Sequence, residues 1–100
     1  MTSSPKTVAL AVRGPEWQEE LSIGEQPGIA EHLAFMGDLV RRGVLEAAGP
    51  FAALGERLEG DVVGLLVFAE ADFEGAARVL ADEPAGLAGL LRWEVRRWHP

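Results

Sequence analysis

The longest apolar segment of the chain, VVGLLVFA over residues 62–69, places the strongest constraint on the fold. Every position except Gly64 carries an apolar side chain, so a strand formed here has no polar face to turn toward water. The segment is far too short to cross a bilayer as a helix. We therefore predict a central strand of a sheet that is covered on both faces.

The segments around it predict the order of the other elements. Helical spacing of apolar residues predicts one helix over residues 28–42 and a second that begins after Asp72 and ends at Asp82-Glu83-Pro84. Three further strands are predicted over residues 7–12, 44–48 and 90–98. The order βαββαβ predicts an α+β, ferredoxin-like fold, in which a four-stranded antiparallel sheet carries both helices on one face.

The second and fourth strands have the features of sheet edges. Pro50 follows the second strand, and proline is tolerated at an edge because it lacks an N–H. In the fourth strand, apolar Leu91, Trp93 and Val95 alternate with charged Arg92, Glu94 and Arg96. The first and third strands are then central. Because the helices cover only one face, we predict a homodimer in which a second copy covers the open sheet face.

Length and composition limit the class of protein. One hundred residues, of which 48% are hydrophobic, predict a single globular domain over residues 1–100 with a frayed tail at residues 1–6. Sixteen acidic residues against nine basic ones give a formal charge of -7, which argues against nucleic acid or an anionic membrane as a partner. The absence of cysteine excludes disulfides and thiolate chemistry. No secretory signal is recognisable at the N-terminus, so a cytoplasmic protein is expected.

His32 is the most informative polar residue. It falls inside the apolar stripe of the first predicted helix, a stripe formed by Leu33, Phe35, Met36, Leu39 and Val40, and Gly43 is the expected C-terminal stop. One interpretation is a core histidine whose ring is satisfied by a backbone carbonyl. The other is a general acid or base in a cleft, because imidazole transfers protons readily near neutral pH.

The segment of residues 16–28 is long for a loop in so small a domain, and such loops are often functional. Trp17 stands out in it. Its side chain either packs on the body of the protein or forms the roof of a ligand site.

Several residues in sequence order carry a family resemblance. A histidine near the start of the first helix is followed by GVLEAAGPF, by an acidic residue before Pro84, by GLL and by a strand that ends at Trp98. This pattern, which extends back to RGPEW at residues 13–17, resembles the YciI-like (YCII-related) proteins of the dimeric α/β-barrel group. The resemblance implies a dimeric α/β barrel.

The resemblance also implies a catalytic pair, formed in that family by the helix histidine and an aspartate just before the proline. These positions match His32 and Glu83, and the glutamate departs from the family pattern. Asp82 lies one position earlier, so either carboxylate is a candidate. Both are alternatively ordinary solvated charges at a helix end.

The remaining candidate residues concern substrate binding. Arg13, together with Arg92, Arg96 and Arg97, forms either a basic rim for an anionic substrate or a set of edge-strand charges. The predicted substrate-binding residues are Arg13, Trp17, Gly49, Pro50 and Phe51, of which the glycine and proline shape the pocket mouth. No metal and no cofactor are expected, because His99 lies in the terminal tail and the carboxylates have no recognisable ligand spacing.

Two functions compete at this point. The first is a cofactor-independent small-molecule enzyme, of the isomerase, dehydratase, dehalogenase or hydrolase type, that uses His32 with a nearby carboxylate. The alternative is a non-catalytic dimeric ligand-binding or accessory module. A cofactorless oxygenase is supported by analogy of fold alone.

Overall fold

The structure is a computed structural model that describes residues 4–51 and 61–100. Residues 1–3 of the predicted tail and residues 52–60 of the predicted connecting loop lie outside the described residues. The strands are β1 (Lys6–Arg13), β2 (Leu45–Pro50), β3 (Val62–Phe68) and β4 (Leu91–Trp98). The helices are α1 (Ile29–Arg41), α2 (Phe73–Leu80) and the short α3 (Pro84–Leu87), and a single 3-10 turn spans Ile23–Glu25.

The four strands form one antiparallel sheet in the order β2-β3-β1-β4. This confirms the predicted ferredoxin-like fold, including β1 and β3 as central strands and β2 and β4 as edges. Each edge strand pairs with one neighbour only, and Pro50 ends β2 without breaking the ladder in the sheet interior.

The hydrophobic core lies between the helices and one face of the sheet. Its buried members come from both long helices and three strands, namely Ala9, Met36, Leu39, Leu45, Leu66, Phe68, Ala76 and Leu80. Since α1 and α2 share this cluster, both helices lie on the same face, as predicted. The first turn of α1 is held separately, because Ile29 packs against a second cluster that includes Ala11 and Val63 of the sheet.

The other face of the sheet is apolar along β1 and charged along β4. Val8, Leu10 and Val12 point to this side, and their partners in the β1–β4 register are Arg96, Glu94 and Arg92. The alternation expected for the fourth strand is therefore confirmed. That a second copy covers this face stays a prediction.

The end of α1 follows the predicted pattern. Gly43 has φ 75°, the left-handed conformation that glycine adopts without strain. Its N–H donates to the carbonyl of Val40 at 3.0 Å, and the N–H of Val44 donates to the carbonyl of Leu39 at 2.9 Å. These two bonds satisfy carbonyls that the last helical turn leaves open.

Two residues of the predicted apolar stripe are not in the core. Leu33 is 60% exposed and Val40 is also exposed, whereas Met36 and Leu39 are buried. Met36 and Leu39 lie in the core with half-buried Phe35 packed against them, and Leu33 lies beside a cavity described below.

Two boundaries also differ from the sequence predictions. Lys6, expected in the frayed tail, is the first residue of β1. Pro84, interpreted as the stop of the second helix, begins α3, where its missing N–H and fixed φ suit the first turn. No helix within residues 4–51 and 61–100 is both long and apolar enough to span a membrane.

Candidate active site

A cavity of about 240 Å³ lies between the first turn of α1, the segment before that helix and the inner face of the sheet. Most of its wall is aliphatic, with contributions from Ile23, Ile29, Leu33, Met36, Val63 and Leu66. Among the described residues that line it, His32 alone has a titratable side chain. A ligand in this cavity therefore meets an apolar wall with one proton-transferring group.

His32 is positioned by the start of α1. The helix begins after Gly28, and the N–H of His32 donates to the carbonyl of Gly28 at 3.3 Å. The imidazole is 14% exposed, and its Nδ1 lies 3.0 Å from Oε2 of Glu83, a residue distant in sequence. The ring is thus held at Nδ1 by a carboxylate, and it is part of the cavity lining.

Glu83 is fully buried, and both of its carboxylate oxygens are saturated with donors. Oε2 accepts from His32 and from the backbone N–H of Ala85 at 2.9 Å. Oε1 accepts from the indole Nε1 of Trp93 and from the backbone N–H of Gly86, both at 2.9 Å. The two backbone bonds arise because Glu83 is the N-cap of α3, where the first helical N–H groups need an acceptor.

These contacts keep Glu83 ionised. Burial alone would raise the pKa of its carboxyl, but the hydrogen bonds from His32, Ala85, Trp93 and Gly86 outweigh burial and hold the pKa below its ordinary value. An ionised carboxylate has no proton to give, so it can only accept. Nδ1 of a neutral His32 must then carry the proton, and Nε2 keeps its lone pair.

Trp93 lies against both members of this pair. Its ring stacks with the His32 imidazole at a centroid separation of 6.0 Å and an interplanar angle of 27°. It projects from β4 on the same side as Leu91, and both residues line the cavity. The sequence placed Trp93 on the inner face of its strand but did not single it out for the site.

The two candidate carboxylates have different environments. Glu83 contacts His32, whereas Asp82, one position earlier, is exposed at the surface. The difference follows from the start of α3, which turns the N-cap side chain back onto its own first turn. The structure therefore brings Glu83, and not Asp82, to the histidine.

The structure does not bring the four candidate arginines together at the cavity. Arg13 donates to Glu19 at 2.9 Å and lies over the ring of Trp17 at 5.5 Å from its centroid. Arg92 and Arg96 pair with Glu94 on the sheet face that points away from the helices, and Arg97 is exposed. A basic rim around the cavity is thus not formed by these side chains.

The other predicted binding residues divide into two groups. Trp17, Gly49 and Pro50 line the cavity. Phe51 is exposed and is not among the described residues that line the cavity. Its backbone N–H donates to the carbonyl of Val63 at 2.8 Å.

The wall formed by the segment before α1 depends on a residue that the sequence did not single out. Gln26 is 2% exposed, and its Nε2 donates to the carbonyls of Gln18 at 2.7 Å and Leu21 at 3.1 Å. Its Oε1 accepts from the N–H of Gln18 at 2.9 Å. These bonds close the segment that presents Trp17 and Ile23 to the cavity. Glutamine in a polar loop gives no sequence signal of burial.

The part of the chain that the structure describes has no group of side chains suited to a metal ion. Within those residues, no three or more histidine and acidic side chains are grouped so as to hold a metal ion.

The fold is similar to that of a known enzyme. It resembles 5-chloro-2-hydroxyhydroquinone dehydrochlorinase (TftG) from Burkholderia phenoliruptrix AC1100, solved in complex with 2,5-dihydroxybenzoquinone, with a TM-score of 0.63. The sequences are 17% identical, and the similarity covers 92% of each chain. No protein-family model matches the sequence, and no curated protein matches it. At this identity the similarity establishes the fold.

Proposed function

We propose that the chain is a YciI-like enzyme that carries out cofactor-independent acid/base chemistry on a small ring compound, with His32 as the general base. One observation carries the proposal. A histidine held at Nδ1 by a buried, ionised glutamate lines an apolar cavity. We infer that its other ring nitrogen, Nε2, faces that cavity. A merely structural histidine has no need of a cavity on its free side.

Each member of the pair has a distinct role. Glu83 orients the ring and stabilises the imidazolium that forms when Nε2 takes a proton. It does not itself take the proton, because four donors already occupy its oxygens. His32 is the only proton acceptor that this proposal requires.

The cavity supports a small and predominantly apolar substrate. The cavity volume of about 240 Å³ is smaller than that of most ligand pockets, and it suits a single substituted ring. None of the described residues that line the cavity is a lysine or an arginine, so a carboxylate on that ring would lose its hydration beside aliphatic side chains with no cationic partner among them. We therefore favour an uncharged ring with an ionisable hydroxyl or C–H over the carboxylated substrate that a basic rim would have recognised.

Elimination is the reaction that we favour within this class, because the structurally similar enzyme is named as a dehydrochlorinase. His32 Nε2 takes a proton from the substrate, the electrons of the broken bond form a double bond, and the leaving group departs with its bonding pair. The sum is the loss of one proton and one anion, with no external oxidant or reductant. An isomerisation needs the same base and returns the proton to another atom.

Chloride release from 5-chloro-2-hydroxyhydroquinone tests this function. We expect the purified protein to accelerate release, and His32→Ala to reduce the acceleration at least about 100-fold, the usual contribution of a positioned base. Asp82→Ala, a surface change next to Glu83, is the matched control and should retain full activity. A His32→Ala protein that remains fully active would exclude His32 as the base.

The same assay separates the enzyme from a binding module. A module would bind 5-chloro-2-hydroxyhydroquinone saturably, with a change in tryptophan fluorescence through Trp17 and Trp93, and would release no chloride. Absence of both binding and release would exclude this compound class.

The assembly that we propose is a homodimer through the open sheet face. Support comes from the apolar centre of that face, where buried Val8 and Val67 and half-buried Leu10 lie away from the helices. Leu10→Lys, at the half-buried position of that face, should give monomer in sedimentation velocity at micromolar concentration. Leu33→Lys, an equally large change on the helix side, should leave the dimer intact. A wild-type monomer under these conditions would contradict the proposal.

A further inference from the structure

We infer that Trp93 is a positioning residue of the site, which fixes the Glu83 carboxylate through its indole N–H and thereby keeps the cavity-facing nitrogen of His32 unprotonated. This inference rests on the proposed role of His32 and adds a third side chain to the pair. It assigns Trp93 no contact with the reacting atoms.

The first support is the division of donors between the two oxygens of Glu83. The oxygen that does not meet His32 receives the indole N–H of Trp93 and the N–H of Gly86, both at 2.9 Å. A side chain with a free carboxylate rotates about its terminal torsion, because that torsion has only shallow preferences. The indole bond opposes this rotation and keeps Oε2 directed at Nδ1 of His32.

The second support is that Trp93 also contacts the imidazole. Its ring is stacked with His32 at 6.0 Å, so one side chain holds both partners of the pair. The two contacts have different chemistry and can be separated. A phenylalanine at this position retains the ring and lacks the N–H donor.

The third support is the close approach of α3 to the indole. A Cβ added at Gly86 would lie 3.3 Å from Cδ1 and 3.4 Å from Nε1 of Trp93. Gly86 does not have a positive φ, so its backbone gives no reason for glycine. The space that glycine leaves is the space in which the indole reaches Glu83.

The consequence for His32 follows from proton placement. When Oε2 is held as an acceptor, the tautomer with the proton on Nδ1 is stabilised. When the carboxylate turns away, the proton is free to move to Nε2. The nitrogen that faces the cavity then has no lone pair with which to act as a base.

Chemical modification of the protein alone tests the inference without any substrate. Diethyl pyrocarbonate acylates an unprotonated imidazole nitrogen, and peptide mass spectrometry gives the rate at each histidine. His99 is the second of the two histidines in the chain and serves as an internal reference. The reaction is run at about pH 8.5, where an ordinary imidazole is neutral.

Trp93→Phe should slow acylation of His32 about tenfold relative to His99, a factor that corresponds to about 1.4 kcal/mol. Trp98→Phe, the same substitution on the same strand at an exposed site, should change nothing. Gly86→Ala should slow His32 by a smaller factor, because the added methyl moves the indole by only a few tenths of an ångström. Its control is Gly37→Ala, where the nearest atom is at an ordinary 3.7 Å.

A double-mutant cycle tests whether Trp93 acts through Glu83. Glu83→Gln should slow His32 by itself, and adding Trp93→Phe to it should cause little further change. If Trp93→Phe fails to fold, Gly86→Ala in the same cycle decides the question.

Unchanged or faster acylation of His32 in folded Trp93→Phe or Gly86→Ala would overturn the inference, as would full additivity with Glu83→Gln. None of these outcomes depends on turnover. Failure of the chloride assay would count against the proposed function and would leave the role of Trp93 in holding the pair to be decided by acylation.

Discussion

Two buried polar side chains, Gln26 and Glu83, show how differently the chain uses saturated hydrogen bonding. Gln26 exchanges its bonds with backbone groups of its own segment, at Gln18 and Leu21. Glu83 collects donors from three elements, including the imidazole of His32 and the indole of Trp93. The first arrangement closes a loop, and the second joins α1, α3 and β4 at one point.

Gln26 is neutral and Glu83 is ionised, and this difference in charge separates a structural role from a functional one. A neutral amide with all its bonds made fixes a wall and does nothing more. A buried carboxylate needs several donors to stay ionised, and Glu83 both caps α3 and places its charge beside a neighbour. Here that neighbour is a titratable ring on a cavity.

The largest expected effect is that of Glu83→Ala. It leaves four donors without their acceptor, and we expect the free energy of unfolding to fall by about 3 kcal/mol or more at neutral pH. Urea unfolding followed by tryptophan fluorescence measures the change. Asp82→Ala should stay within about 0.5 kcal/mol of wild type. Equal effects of the two substitutions would remove the distinction between Glu83 and an ordinary surface carboxylate.

Gln26→Leu should follow, with a loss of about 2 kcal/mol, because backbone groups of Gln18 and Leu21 lose a buried partner. The matched control is Gln18→Leu, since Gln18 enters this network through its backbone only. If the control costs as much as Gln26→Leu, the buried amide is not what holds the segment.

The two sites should differ in pH dependence. The folded pKa of Glu83 is below its ordinary value, so its stabilising contribution is complete above the unfolded value of about 4.3 and is lost as pH falls through the folded pKa. The stability difference between wild type and Glu83→Gln should therefore shrink from pH 6 toward pH 3. The difference between wild type and Gln26→Leu should stay constant over the same range. A widening gap for Glu83→Gln in acid would mean that the folded carboxyl is held protonated.

Among the substitutions within the two hydrogen-bond networks, His32→Ala should have the smallest effect on stability. Ala85, Gly86 and Trp93 still satisfy Glu83, and water from the cavity replaces the ring, so we expect a loss of under about 1 kcal/mol. Thermal unfolding measures it. If His32→Ala loses as much stability as Gln26→Leu, then His32, like Gln26, serves mainly to hold the fold together.

The sequence predicted the fold well because hydrophobic patterning decides it. The uninterrupted apolar run of β3, the alternation in β4 and the glycine after α1 each depend on local features. The apolar stripe of α1 was less reliable, since Leu33 borders a cavity and is exposed, which a helical wheel cannot distinguish from core.

The site was only partly predictable. His32 and a carboxylate before Pro84 followed from the resemblance, but the choice between Glu83 and Asp82 depends on the unpredicted start of α3. The partner of Arg13 is Glu19, whose position is set by the loop conformation. The indole bond of Trp93 arises only when β4 and α3 are packed together, and no spacing in the sequence encodes it.

The protonation of the His32 ring tests the central claim most directly. Nitrogen-15 NMR of the imidazole at about pH 8.5, where an ordinary histidine is neutral, reports which nitrogen carries the proton. We predict a proton on Nδ1 and an unprotonated Nε2 in the wild type, with this preference lost in Glu83→Gln. A ring protonated on Nε2 in the wild type would contradict the account, because the nitrogen that faces the cavity would then have no lone pair to act as a base.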